Sequence, residues 1–219
     1  HASSLAGVAP PSRRSQSAPM TWPLPFAQAL AVYAAVLGPE RLVYGFVYHY
    51  TPSFRRLAGL GKSGKADLTI MHTLVSSFKV VQICAVASDL GPKLKWTLPL
   101  GALLADDASI ARLAVGLALV AFGQLLNVSI YWAIGSVGVH YGHQLGHDVP
   151  WCTGWPFTWL SNPQYIGVVL TFWGIYLALA PAWTDVAWFT IPLVISFWYF
   201  WSINLLEAGT PRHTLKRRE

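Results

Sequence analysis

The stretch from Gly116 to Gly167 constrains the fold more than any other. It opens as GLALVAFGQLLNVSIYWAIG, an apolar run with no formally charged side chain and enough residues to cross a lipid bilayer. Glycines and amides stand in it where a lipid-facing helix would prefer leucine. The chain continues as SVGVHYGHQLGHDVPW, with glycines recurring at helical spacing, and then as PFTWLSNPQYIG, which re-enters apolar sequence. This order does not suit a water-soluble core. It suits a membrane bundle with a polar, close-packed site at one water interface.

Composition supports that reading. Of 219 residues, 54% are hydrophobic and 11% charged, against about 25% charged in an ordinary soluble domain. Apolar runs near the ~20-residue spanning length recur. A soluble alternative would have to bury several all-apolar helices at once, which a chain this short could hardly cover. Eleven Trp and nine Tyr suit aromatic belts at the membrane interfaces. The formal charge of +6 does not indicate nucleic acid, because the basic residues flank apolar runs in short clusters. Such clusters suit anionic lipid headgroups and the positive-inside pattern. Cys84 and Cys152 lie too far apart in sequence to suggest a disulfide framework or metal-binding spacing.

Taken in order, residues 1–20 read as a disordered leader or targeting remnant, rich in Ser, Ala, Pro and Arg. Residues 21–219 read as one membrane domain. Pro23 to Leu37 is apolar but short for a span. Gly38-Pro39-Glu40-Arg41 interrupts it, and Leu42 to Tyr50 resumes, so the segment is either a re-entrant hairpin or one kinked helix. A basic loop with Arg55, Arg56, Lys62 and Lys65 follows. Leu68 to Ser88 is a clear span containing His72, Lys79 and Gln82. An ammonium at mid-membrane depth is expensive, so Lys79 either has a function or snorkels to an interface. Asp106 and Asp107 suit the start of a helix over 109–134. Two further apolar runs, 166–180 and 186–206, flank a turn at 181–185.

The expected fold is all-α: an integral membrane helical bundle of about four spans, with room for a re-entrant N-terminal hairpin. This order puts the 51–67 loop, the 135–165 segment and the basic tail on one face. The positive-inside rule makes that face cytosolic.

Several residues could carry chemistry. Gly116 and Gly123 share a helix face with Asn127, which suits close approach by either another helix or a flat ligand. Gln124 and Asn127 add amides that need partners if buried. Gly135, Gly138, Gly142 and Gly146 form either a bare helical ridge or an unwound loop whose N–H groups meet an anion. His140, His143 and His147 have a spacing that could bind zinc. Only Asp148 stands beside them as a further ligand, so they read as interfacial polar residues and no metal is expected. Glu207 is a carboxylate at a helix C-terminus, where the dipole disfavours it; that favours a role with a ribose or a cation. No P-loop, GxGxxG, HExxH or GxSxG is present.

At AFGQLLN, IGSVGVHYGHQLGHDVPW, PFTWLSNPQYIG and LLEA, the chain resembles the phospholipid N-methyltransferases, and most of all the plant-type enzymes acting on phosphatidyl-N-methylethanolamine. The resemblance runs from about Pro23 to the end and is densest from Val120 to Gly167. It implies S-adenosylmethionine as methyl donor. The family's G-x-G-like element falls on Ala121-Phe122-Gly123, with alanine for the first glycine. Its acidic pair falls on Glu207-Ala208, where the second acid is missing, as it is in the plant-type pattern. FKVVQ, with Lys79 and Gln82, also looks plant-type.

The implied reaction is in-line attack by a neutral lipid amine on an activated methyl group, so the protein mainly supplies alignment and environment. His140, Tyr141 and Glu207 are candidates for handling the amine proton. Lys79 is expected to meet the lipid phosphate, with Gln82, Asn162 and Tyr165 as further substrate contacts. Partners are the bilayer and an amino-phospholipid, with no nucleic acid. The expected activity converts the monomethyl and dimethyl lipids to phosphatidylcholine, in the endoplasmic reticulum or an organellar membrane, with the site facing the cytosol. Two rivals are a prenylcysteine carboxyl methyltransferase, whose R-H-P-x-Y element corresponds to Ser161-Asn162-Pro163-Gln164-Tyr165, and a non-catalytic tetra-span lipid-binding relative.

Overall fold

A computed structural model describes residues 25–59, 65–150, 152–182 and 184–206. Among these residues every regular element is helical. The order is α1 (Phe26–Leu57), α2 (Lys65–Lys93), a single turn α3 (Leu100–Leu103), α4 (Asp107–Val139), α5 (Pro163–Leu179), a 3-10 turn (Val186–Phe189), α6 (Thr190–Trp201) and a π-turn (Ser202–Leu206). Four helical segments are long and apolar enough to cross a membrane: Phe26–Leu57, Ala66–Lys93, Asp107–Val139 and Val186–Leu206. The expected all-α membrane bundle is what the chain forms.

The first apolar segment is one kinked helix. Gly38-Pro39 does not break it. The non-helical residue inside α1 is Tyr50 (φ −127°, ψ 42°), two positions before Pro52. Gly38 instead admits a neighbour: a Cβ there would lie 2.3 Å from the Trp198 ring of α6. Trp198 Nε1 also donates to the Ala34 carbonyl at 3.0 Å. What reads as an interruption is a helix–helix contact, and it sends Glu40 and Arg41 into the bundle.

α5 differs from the other long helices. At 17 residues it is about 26 Å long at 1.5 Å per residue, short of a ~30 Å hydrocarbon core. It lies along α4 in a glycine seam. Added Cβ atoms at Gly116 and Gly174 would each come within 2.6 Å of the backbone of the facing helix. Gly123 and Gly167 face one another similarly one turn-pair further along. Without a solvent-driven hydrophobic force between helices in lipid, such close backbone approach is what van der Waals attraction can use.

Helix ends follow local rules. Asp106 caps α4, its carboxylate accepting from the Ser109 amide at 2.7 Å. That bond holds the Asp106 carboxyl below its usual range. α4 turns sharply at Gly135 (φ 66°, ψ 175°), a region open essentially to glycine alone. It ends at His140, with Tyr141 left-handed at φ 58° and the Gly142 amide returning to Val137 at 2.8 Å. This is a Schellman-type stop with tyrosine where glycine is usual.

One end of the bundle is polar and cross-tied. Arg55 pairs with Asp67 at 3.0 Å and donates to the Leu145 carbonyl. His147 Nε2 meets Asp67 Oδ1 at 2.9 Å, and His49 meets the Leu206 carbonyl at 2.5 Å. The end of α1, the start of α2, the 140–147 segment and the end of the last helical segment therefore meet at one face. The opposite end is held by Asp89, which takes Lys93 and the Tyr176 hydroxyl, each at 2.7 Å.

Candidate active site

A cavity of about 90 Å³ opens inside the bundle toward the polar end. α1 brings Glu40, Arg41 and Tyr44 to it. α2 brings His72, Ser76 and Lys79. α4 and its cap bring Tyr131 and His140, α5 brings Gln164 and Tyr165, and α6 brings Tyr199. Helical spacing accounts for these sets. Residues three and four apart share a face, as Arg41 and Tyr44, or His72, Ser76 and Lys79, do.

The charged centre is dense. Glu40 is 2% exposed and Arg41 3%. Glu40 Oε1 lies 3.0 Å from Arg41 Nη2 and 2.9 Å from Lys79 Nζ. Gln82, also buried, donates its amide to Glu40 Oε2 and accepts from Lys79 Nζ at 3.1 Å. Lys79 Nζ reaches the Tyr199 hydroxyl at 3.5 Å. The Arg41 guanidinium carbon sits 4.3 Å from the Tyr44 ring centre, 4.5 Å from Tyr199 and 5.1 Å from Tyr165, which is cation–π range for all three. Charges this deep in membrane-length helices face the bundle interior and pair with one another.

His140 is buried, and its Nδ1 lies 2.6 Å from the Ser136 carbonyl. A carbonyl can only accept, so Nδ1 carries the proton and the neutral ring keeps its lone pair on Nε2. Burial chiefly, with the His72 ring and Lys79 adding to it, pushes the His140 pKa down. The ring is therefore neutral near pH 7 and competent to receive a proton.

The site thus gathers Lys79, Gln82, Tyr165 and His140 from the residues singled out in the sequence. Tyr141 stands one layer back, with its hydroxyl 3.4 Å from that of Tyr165 and its ring edge-on to Tyr44 at 4.8 Å. Asn162 occupies the N-cap of α5, its carbonyl accepting from Ile166 at 3.2 Å, and Pro163 follows at the first helical position. The Asn162 cap thus sets the start of the helix that carries Gln164 and Tyr165. The histidine row divides: His140 faces the cavity and His147 meets Asp67.

The expected cofactor element is not brought here. Ala121 and Phe122 are exposed on the outer surface of α4. Gly123 is buried against α5, where a Cβ would meet the Gly167 carbonyl at 2.5 Å and Thr171 Oγ1 at 2.6 Å. A neighbouring helix fills that face of Gly123. The small size of Gly123 thus serves its packing against α5. Glu207 and Ala208 lie outside the described residues.

Sequence reasoning missed Glu40, Arg41, Tyr44, Tyr131 and Tyr199. For the first two a signal was present, since an acid–base pair embedded between apolar runs is costly in a membrane unless the two are used together. For the tyrosines there was none, because interfacial belts explain them equally well.

Residues 111–214 match the family described as phospholipid methyltransferase. Over 53 residues the chain is 42% identical to a phosphatidyl-N-methylethanolamine N-methyltransferase of Arabidopsis thaliana, covering 24% of this chain and 32% of that relative. Over 56 residues it is 39% identical to phosphatidylethanolamine N-methyltransferase B of Dictyostelium discoideum, covering 25% of this chain and 28% of that relative. The chain thus spans about a third of the length of the curated relatives it matches. No solved structure matches it significantly. Tyr131, His140, Gln164, Tyr165 and Tyr199 of the cavity all fall within the segment, residues 111–214, that matches the phospholipid methyltransferase family.

Proposed function

We propose that this chain is a membrane phospholipid N-methyltransferase that methylates phosphatidyl-N-methylethanolamine and its dimethyl form to phosphatidylcholine, with S-adenosylmethionine as donor. One observation carries the reading: a small cavity lined by cations, tyrosines and a neutral histidine lies inside membrane-length helices, and six of its thirteen lining residues come from the segment that matches the family. An amino-phospholipid presents an anion, an amine and two acyl chains. A cavity of this kind can take the polar part while the chains stay in the bilayer.

When bound, the donor supplies an activated methyl group, so the protein's task is alignment and proton management. An alkylammonium starts near the lysine value of about 10.4 and cannot attack until it loses its proton. Burial and the nearby Lys79 and Arg41 charges both disfavour its charged form. His140 Nε2 is the proposed proton acceptor. Tyr141, behind Tyr165, is proposed as a positioning residue. Lys79, Gln82, Tyr165 and Asn162 are proposed to shape the headgroup pocket, directly or through α5. Glu207 remains the proposed carboxylate toward the donor, and 21–219 the proposed methyltransferase domain. The proposed membrane is the endoplasmic reticulum, with the polar end toward the cytosol.

Labelled S-adenosylmethionine tests this. Membranes holding the chain are given phosphatidylethanolamine, its monomethyl and dimethyl forms, or a farnesylcysteine peptide. Label in the monomethyl and dimethyl lipids is expected. Label only in the peptide would identify the carboxyl enzyme, and label in no lipid would sink the proposal.

A further inference from the structure

We infer that Arg41 is the anion receptor of this cavity, and that its ligand is the phosphodiester of a glycerophospholipid headgroup. The inference rests on the lipid-methylating reading and assigns the phosphate to a residue outside the family match, which begins at residue 111.

The first observation is unmet hydrogen bonding. Arg41 is 3% exposed and lines the cavity. Its Nη2 is paired with Glu40 at 3.0 Å, but Nε and Nη1 have no acceptor. A guanidinium offers donors on all three nitrogens and cannot shed its charge. Buried polar groups in folded proteins are almost always satisfied. The tyrosine rings around Arg41 offer only their faces. Two donors at a cavity wall therefore point to an acceptor that enters from outside.

The second observation is charge. Among the formally charged groups lining the cavity are two cations, Arg41 and Lys79, and one carboxylate, Glu40. Counted over these three groups, one positive charge is left uncompensated inside membrane-length helices. A phosphodiester carries one negative charge and several acceptor oxygens. It would complete both accounts, and charge-assisted bonds to phosphate are the strong kind.

The third is the disposition of Lys79. Its charge is already engaged at 2.9 Å by Glu40, and its side chain is 42% exposed. That places it at the rim and leaves Arg41 as the interior ligand. This modifies the expectation that Lys79 alone meets the phosphate. The cavity is small, about 90 Å³, which suits a compact polar group rather than an acyl chain. Acyl chains would stay outside, and α2 beyond Lys79 is apolar and open, with Val80 60% and Ile83 68% exposed.

The test is direct binding by the purified chain in detergent, read by intrinsic Trp and Tyr fluorescence. Probes are dihexanoyl phosphatidyl-N-methylethanolamine, dihexanoylglycerol, which lacks the phosphate, and inorganic phosphate. Arg41→Gln is expected to weaken phospholipid binding tenfold or more and to leave dihexanoylglycerol binding unchanged. Equal phospholipid affinity in both proteins overturns the inference. Tighter binding of inorganic phosphate than of the phospholipid overturns the lipid assignment. Should Arg41→Gln fail to fold, the double variant Glu40→Gln/Arg41→Gln removes both buried charges of the pair. Retained phospholipid affinity in it overturns the role of Arg41. A chain that binds phospholipid through Arg41 but transfers no methyl group keeps this inference and loses the function proposed above.

Discussion

At the scale of single residues, Glu40 holds the site together. It is the carboxylate shared by Arg41 and Lys79, and it accepts from Gln82 as well. Removing one member of a buried ionic cluster leaves the others without compensation, which is far worse than never having buried them. Glu40→Gln should therefore destabilise the chain by about 3 kcal/mol, read as a lowered midpoint of unfolding in detergent. Glu40→Gln/Arg41→Gln should recover most of that loss. A double variant less stable than Glu40→Gln would contradict the pairing. Lys79 and Gln82 were legible in the sequence because each is polar where lipid is expected. Arg41 was obscured because Gly38-Pro39 beside it resembles the end of an apolar segment, and only the packing of Trp198 against Gly38 explains why the helix goes on.

At the scale of elements, α4 and α5 form the rigid wall and Gly135 sets the angle at which α4 delivers His140. Gly135 has nothing within 4 Å of a would-be Cβ, so its requirement is conformational and not spatial. Gly135→Ala should lower stability by about 1–3 kcal/mol through backbone strain alone. It should also reduce methyl transfer, because the displaced segment carries His140 and Tyr141. Unchanged stability would show that another backbone geometry serves at this point. The contrast with Gly123 is instructive. Both glycines lie in the same run of sequence and both could be read as ligand-facing. One is needed for its φ and the other for its missing side chain. Spacing alone does not separate those reasons, since both produce a glycine at helical intervals.

At the scale of the whole molecule, the cross-ties among Arg55, Asp67, Leu145 and His147 gather three chain segments at one end, and the cavity lies toward that end. Sidedness can be measured. In a background carrying Cys84→Ser and Cys152→Ser, Arg56→Cys lies in the last turn of α1 and Thr97→Cys just after α2, so the α2 span separates them. A membrane-impermeant maleimide applied to sealed microsomes from the cytosolic side should label Arg56→Cys and spare Thr97→Cys. The reverse pattern would place the site in the lumen.

The sequence by itself determined the class of fold and its membrane character. Those follow from run length, the placing of charge beside apolar segments and the order of glycine-rich motifs, all of which are local properties of the chain. It also marked Lys79 and Gln82, because polar groups in apolar surroundings stand out without any partner in view, while His140 and Tyr165 stood out through the histidine spacing and the family resemblance. The tertiary structure alone decided which of these meet. Glu40 and Gln82 are 42 positions apart, and Lys79 and Tyr199 are 120. Their contacts depend on helix crossing and rotation, which are set by side chains from several helices at once. The structure likewise showed that Gly123 makes a packing contact with α5. Whether a bare backbone faces a ligand or a neighbour is a property of the bundle and not of the helix that carries it.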